Sequence, residues 1–298
     1  MDALTDQRAM HPLILNIDDA VCGVSDATRI DARHWHERIR FGCTTKTYQS
    51  FAQEINACLP DRYGTALLGS GDFHHLSLLL IQRVKATRPL TVVVFDNHPD
   101  NMRFPLGVHC GSWVRSVAAL PAVGHVHMVG MTSGDMGLAN AWSHYLRPLR
   151  AGKLTYWSTG VDTSWSKWLG VSHAFRSFHS VSELIAAFEQ TLRRDSAPVY
   201  LSIDKDVLHE GVVQTNWDQG NFDLTHLDYA MRALGGRVVA SDITGDISEH
   251  QYTTRWKRVL ARLDGQQSRF DAATLMRHQH EQARCNRHLI DAIQQLSA

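Results

Sequence analysis

The run Leu90-Thr91-Val92-Val93-Val94-Phe95 is apolar at all but one position and β-branched at four. A strand of this kind offers no face to water. It belongs inside a parallel sheet that is covered on both sides. Seven further short runs share its character: Leu13–Ile17, Thr65–Leu68, His125–Val129, Leu154–Trp157, Phe175–Phe178, Val199–Ile203 and Arg237–Ala240. Helical patterns lie between them, at Thr47–Cys58, His75–Lys85, Ser112–Ala119, Val181–Arg194, Leu224–Leu234 and Tyr252–Leu263. Ser180-Val181-Ser182-Glu183 opens one of these with a capping-box pattern. The segment Phe270–Leu296 reads as one or two helices. This alternation predicts an α/β fold, a three-layer α/β/α sandwich on a mostly parallel sheet of about eight strands. No linker-like stretch divides the chain, so residues 1–298 are expected to form a single domain.

Several function classes are disfavoured at once. Thirty basic residues balance thirty acidic ones, so there is no positive surplus to draw a nucleic acid or an acidic membrane surface. No apolar run approaches the roughly 18 residues of a membrane helix. Met1-Asp2-Ala3-Leu4-Thr5-Asp6 lacks the pattern of a secretory leader. Five scattered cysteines without a Cys-x-x-Cys pair argue for a reducing cytoplasm and against a disulfide or thiolate-zinc framework. Eighteen histidines invite a metal reading, but only position can decide it.

In an open parallel sheet, ligands bind beyond the carboxyl ends of the strands. Leu90–Phe95 runs straight into Asp96-Asn97-His98-Pro99-Asp100, and Val199–Ile203 into Asp204-Lys205-Asp206. In extended backbone, alternate residues point the same way, so each segment aims its ligating side chains together. A third strand end, Leu67-Leu68-Gly69-Ser70-Gly71-Asp72-Phe73-His74-His75, supplies two histidines. Burying four carboxylates is costly without compensating cations, and two divalent ions would balance them. Oxygen-rich ligation with few imidazoles and no thiolate favours manganese or a similar ion.

These segments resemble the arginase/agmatinase (ureohydrolase) family. The likeness lies in Gly69–His75, Asp96–Asp100, His109–Ser112 and Ser202–Asp206, in the family's order and at its approximate spacing. It implies an arginase-like metallohydrolase with two divalent metal ions, most plausibly Mn. His74 and Asp100 would hold one ion and His98 and Asp206 the other, with Asp96 and Asp204 bridging. A metal-bridging hydroxide would attack a guanidino or amidine C–N bond of a small molecule, and Asp206 or His109 would assist proton transfer. A homo-oligomer is also implied.

The chain departs from the family's pattern in places. Phe73 is inserted before His74, so His75 competes with it as the ligand. His209-Glu210 replaces an Asp-Pro. Arginase-like enzymes carry a glutamate on the last strand that grips the guanidinium; the register places Gly245 there, and Asp246 is the nearest substitute. Trp217 and Asp218 are further substrate-binding candidates, since a cation over an indole beside a carboxylate would suit a guanidinium or amine. Arg103 could meet a substrate carboxylate. Two alternatives stay open: a mononuclear zinc, deacetylase-like amidohydrolase, and a metal-retaining binding protein without catalysis.

Overall fold

A computed structural model describes residues 10–263 and 270–296. The leader reading of Met1–Asp6 lies outside these residues. Eleven strands are present among them: β1 (Leu13–Asn16), β2 (Thr28–Asp31), β3 (Gly42–Thr44), β4 (Ala66–Leu67), β5 (Leu90–Phe95), β6 (Gly107–His109), β7 (Val123–Met131), β8 (Leu154–Thr159), β9 (Phe175–Phe178), β10 (Val199–Asp204) and β11 (Val238–Thr244). Nine form one sheet in the order β2-β1-β4-β11-β10-β5-β7-β8-β9. Every pairing in it is parallel. β3 and β6 form a small antiparallel pair of their own.

The all-apolar strand explains the layering. Val92 and Val94 of β5 join one core, while Val93 and Phe95 join the other. The first core takes Tyr48, Phe51 and Ile55 from the helix Thr45–Cys58, and Leu78 to Ile81 from the helix Ser77–Arg83. The second takes Leu184, Phe188 and Leu192 from Val181–Leu192, Leu227 and Met231 from Leu224–Arg232, and Leu289, Ile290 and Ile293 from Ala272–Leu296. Helices therefore cover both faces of the sheet, giving three layers. The last segment is one helix of 25 residues. Among the described residues, no helix is long and apolar enough to cross a membrane.

Three local expectations change. The sheet has nine strands, because β2 escapes an apolar search: its residues are half-buried or exposed throughout. The expected helix His75–Lys85 becomes a 3-10 turn, Gly71–Leu76, followed by Ser77–Arg83. Ser180 caps its helix by accepting the Glu183 N–H at 3.2 Å, but the Glu183 carboxylate reaches back to the N–H of His179.

The topology sets the position of any site. From β5 the chain continues outward to β7, whereas from β10 it continues the other way, to β11. β5 and β10 are hydrogen-bonded neighbours. A crevice opens at such a reversal, beyond the carboxyl ends of the strands. The Asp96 and Asp204 segments emerge on its two sides.

Candidate metal centre

Two groups of side chains gather there. His74, Asp96 and Asp100 form one; Asp96, His98 and Asp206 form the other. Within each group one ligating atom per residue lies within 4.8 Å of the rest. Asp96 belongs to both. Its Oδ2 is 3.1 Å from His74 Nδ1, and its Oδ1 is 3.5 Å from His98 Nδ1. Asp100 Oδ2 is also 3.1 Å from His74 Nδ1, and Asp204 Oδ2 is 3.5 Å away. On the other side, Asp206 Oδ2 is 2.9 Å from His98 Nδ1. Of the adjacent histidine pair it is thus His74 that meets the aspartates. His75 is buried outside both groups, and burial pushes its pKa well down.

Each imidazole is oriented from behind. Ser202 Oγ donates to Asp242 Oδ1 at 2.7 Å, so it accepts from His74 Nε2 at 3.0 Å. Tyr200 OH donates to the other oxygen of Asp242. His98 Nε2 lies 2.7 Å from Asp218 Oδ1. Both histidines are thereby held with Nδ1 toward the carboxylates, as a metal-ligating imidazole is held by its second nitrogen. Asp100 is fixed in turn: Trp113 Nε1 donates to its Oδ2 at 2.6 Å, and its backbone sits at φ 44°. Such a conformation is costly for a residue other than glycine and persists where the surroundings impose it.

The electrostatics test whether these residues fit cations. His74 Nδ1 and Asp96 Oδ2 are buried and have no hydrogen-bond partner among the described residues, although carboxylate oxygens surround the nitrogen. Burial, and then the Asp96 charge, pushes Asp100 and Asp206 up to about 7. Burial, and then Asp206, pushes Asp204 well above the carboxylate range. Burial opposes charge on His74, yet Asp100 and Asp96 hold its pKa well above the usual value; Asp206 and Asp218 do the same for His98. The pocket holds more negative charge than the protein's own cations offset. The donor set, carboxylates with two imidazoles, fits divalent ions.

The remaining candidates fall at different places. His109 ends β6, and its Nδ1 accepts the N–H of Gly111 at 3.0 Å, which leaves the proton of the neutral ring on Nε2. Gly111 O in turn accepts from Met102 N, lacing this loop to the Asp100 loop. Burial lowers the His109 pKa to about 4. Trp217 stands edge-on to His98 at 5.8 Å, stacks on Phe41 at 6.0 Å, and donates from Nε1 to Asp72 at 3.2 Å. Asp218, beside it, is exposed apart from its bonds to His98 and Asn97. Arg103 is exposed, and its Nε donates to His144 O at 3.3 Å.

Asp246 does not join this rim. It is fully buried, 2.8 Å from Lys205 Nζ, and accepts from Asn286. Both of those contacts are made by its Oδ1; its Oδ2 is buried with no hydrogen-bond partner among the described residues. Gly245 cannot be replaced by a longer residue in place: it lies at φ 88°, and a Cβ there would fall 2.5 Å from Asp204 Oδ1 and 2.7 Å from Lys205 N.

Sequence reasoning missed the supports. Ser202 alternates with Asp204 on β10, a signal that it shares that aspartate's face. Arg40 gave no such sign. It is buried 2.6 Å from Asp72 and 3.6 Å from Asp18, and bonds Ser70 and Ser248. It ties the end of β1 to the loop that carries His74.

No protein-family model matches the chain. An uncharacterized protein of Thermotoga maritima is 30% identical over 194 residues, which are 65% of this chain and 62% of that protein. The chain therefore spans under two thirds of that relative's length. Among solved structures, formimidoylglutamase from Bacillus subtilis aligns over 97% of this chain and 92% of its own, with a TM-score of 0.55 and 12% identity. Arginase from Bacillus subtilis aligns over 97% and 98%, with a TM-score of 0.53 and 13% identity. A variant of Trypanosoma cruzi formiminoglutamase, described with Mn2+, aligns over 96% and 94%, at 0.53 and 11%. These neighbours are ureohydrolases, and at low identity the chain has their arginase-like α/β fold.

Proposed function

We propose that this chain is a metal-dependent hydrolase of a guanidino or related amidine C–N bond in a small molecule, of the ureohydrolase kind. The observation that carries the reading is the pair of His/Asp groups sharing Asp96 at the reversal between β5 and β10. His74 and Asp100 would hold one divalent ion, His98 and Asp206 the other, with Asp96 and Asp204 between them. Manganese is the expected metal, in keeping with the donor set and with the Mn2+ named for one structural neighbour.

When bound, two such ions activate water as a nucleophile and polarise the carbon it attacks. The chain's own groups do the rest. His109, neutral above about pH 5 with its proton on Nε2, is suited to donate a hydrogen bond to the reacting groups, and Asp206, raised to about 7, is the candidate to carry a proton to the departing amine. Trp217 offers a ring face and Asp218 a carboxylate to a cationic substrate. Five free cysteines suit a reducing cytoplasm. Association of copies into a homo-oligomer is part of the same proposal.

The test is direct. Metal-free protein is loaded with Mn2+ and offered a panel of guanidino, formimino and amide compounds, with urea, formamide and ammonia release measured. Turnover of an amidine supports the reading. Two bound ions with no turnover of any amidine would count against it, and one bound zinc with amide turnover would replace it by the deacetylase type.

A further inference from the structure

Lys205 stands between two proposed ligands, Asp204 and Asp206, yet its side chain runs the other way. Its Nζ is fully buried, 2.8 Å from Asp246 Oδ1, and donates to Asn286 Oδ1 at 2.7 Å. Asn286 Nδ2 donates to the same Asp246 oxygen at 2.9 Å. The three side chains close a ring, and all are fully buried. Asn286 lies on the C-terminal helix Ala272–Leu296. One turn earlier on that helix, Gln282 donates to Gly245 O at 3.0 Å and to Gln214 O at 2.6 Å. Asp246 N completes the frame by donating to Gly69 O at 2.9 Å.

Burying an ion pair is a poor way to gain stability, because the cost of desolvation rivals the attraction; apolar side chains of like volume often serve as well. A charged ring at this place therefore calls for another reason, and direction supplies one. Asp204 ends β10 and Lys205–Val207 is a 3-10 turn, in which successive side chains leave in different directions. With Lys205 held toward the helix, Asp204 and Asp206 face His74 and His98 across the crevice. The bond from Asp206 N to Asp204 Oδ1, 3.1 Å, runs across the same three residues.

We propose that Lys205, Asp246 and Asn286 are positioning residues that couple occupancy of the Asp204/Asp206 side of the centre to docking of the C-terminal helix. The proposal rests on the metal-centre reading above. Because coupling is reciprocal, divalent ions tighten the helix and the docked helix tightens the ions.

The experiment compares wild type with the double variant Lys205→Met/Asp246→Leu, which keeps volume and removes both charges, and with Asn286→Ala, which leaves the ion pair in place. Mn2+ binding is read by calorimetry, metal-free stability by thermal unfolding, and helix docking by amide exchange with and without Mn2+. Supporting interactions behind metal ligands are worth about 10- to 100-fold in affinity. The expected result is that the double variant, which leaves the buried amide of Asn286 without these two partners, unfolds at a somewhat lower temperature than wild type without metal and, while folded, binds Mn2+ about tenfold more weakly. Mn2+ then slows exchange in residues 272–296 of the wild type only. Asn286→Ala moves affinity in the same direction, and it decides the matter if the double variant does not fold. Wild-type affinity in the variants, with two ions still bound, overturns the coupling alone. No ion bound by wild type overturns the metal reading and the coupling with it.

Discussion

Nε2 of His74 lies 3.0 Å from the hydroxyl oxygen of Ser202, which spends its own proton on Asp242. This contact decides which ring nitrogen of His74 is free to face Asp96 and Asp100. Replacing Ser202 by Ala removes the acceptor without changing the volume much. Mn2+ affinity should fall about tenfold, with the stoichiometry unchanged at saturating metal. Calorimetric titration of the two proteins would expose an error here as equal affinities.

The titration of the centre gives a signed prediction. Asp100 and Asp206 carry pKa values of about 7 in the metal-free fold, against an ordinary 3.8. Between about pH 4 and 7 the folded chain therefore holds protons that the unfolded chain releases, and these groups lose stability as pH rises through that window. His74 and His98, raised well above 6.5, act in the same direction at higher pH. Histidines lowered by burial, such as His36 and His144, both at about 4, act oppositely below pH 6.5, so the raw stability curve mixes the two. Their contribution cancels in the difference between metal-loaded and metal-free protein. Divalent ions must displace the protons. The rise in unfolding temperature given by Mn2+ should be small at pH 5.5 and grow steadily to pH 8. A flat difference would contradict it.

His109 is expected to hydrogen-bond the reacting groups and not the metal. Its Nδ1 is taken by Gly111 N, and burial keeps the ring neutral above about pH 5. His109→Ala should leave Mn2+ binding within about twofold and lower kcat about 100-fold, the usual scale of a lost hydrogen-bond donor at the reacting centre. A comparable loss of metal would reassign the residue to structure.

Gly245 should tolerate no side chain. A Cβ would meet Asp204 Oδ1 at 2.5 Å, and the backbone lies at φ 88°. Gly245→Ala should cost about 1–3 kcal/mol by urea unfolding from backbone strain alone. It should also weaken Mn2+ binding by turning Asp204. Gly245→Glu, the residue that the arginase resemblance expects at this position, should destabilise the fold and give no tighter binding of guanidino compounds.

The parts of the molecule that are legible from sequence are those where one physical demand dominates. β5 and β10 must be dry on both faces, so their composition declares them, and the aspartates after them follow from position. β2 stays hidden because its side chains meet water. The helix expected from His75 begins only at Ser77, because bringing Asp72 to Arg40 and His74 to Asp100 holds Gly71–Leu76 in a 3-10 turn. The pairing of Asp246 with Lys205 escapes notice for a different reason. Adjacency along the chain does not say which side of the sheet a charge will face, and the two found each other across 41 residues.

β2 carries one more consequence. It closes the sheet with a strand of four residues, Thr28 to Asp31, and Arg33 folds back to hold Asp31 with two bonds, at 2.9 and 2.7 Å. A strand this short and this charged is a poor template for another chain's backbone. Copies of this protein that associate should therefore not extend the sheet across this edge, and should meet on some other surface.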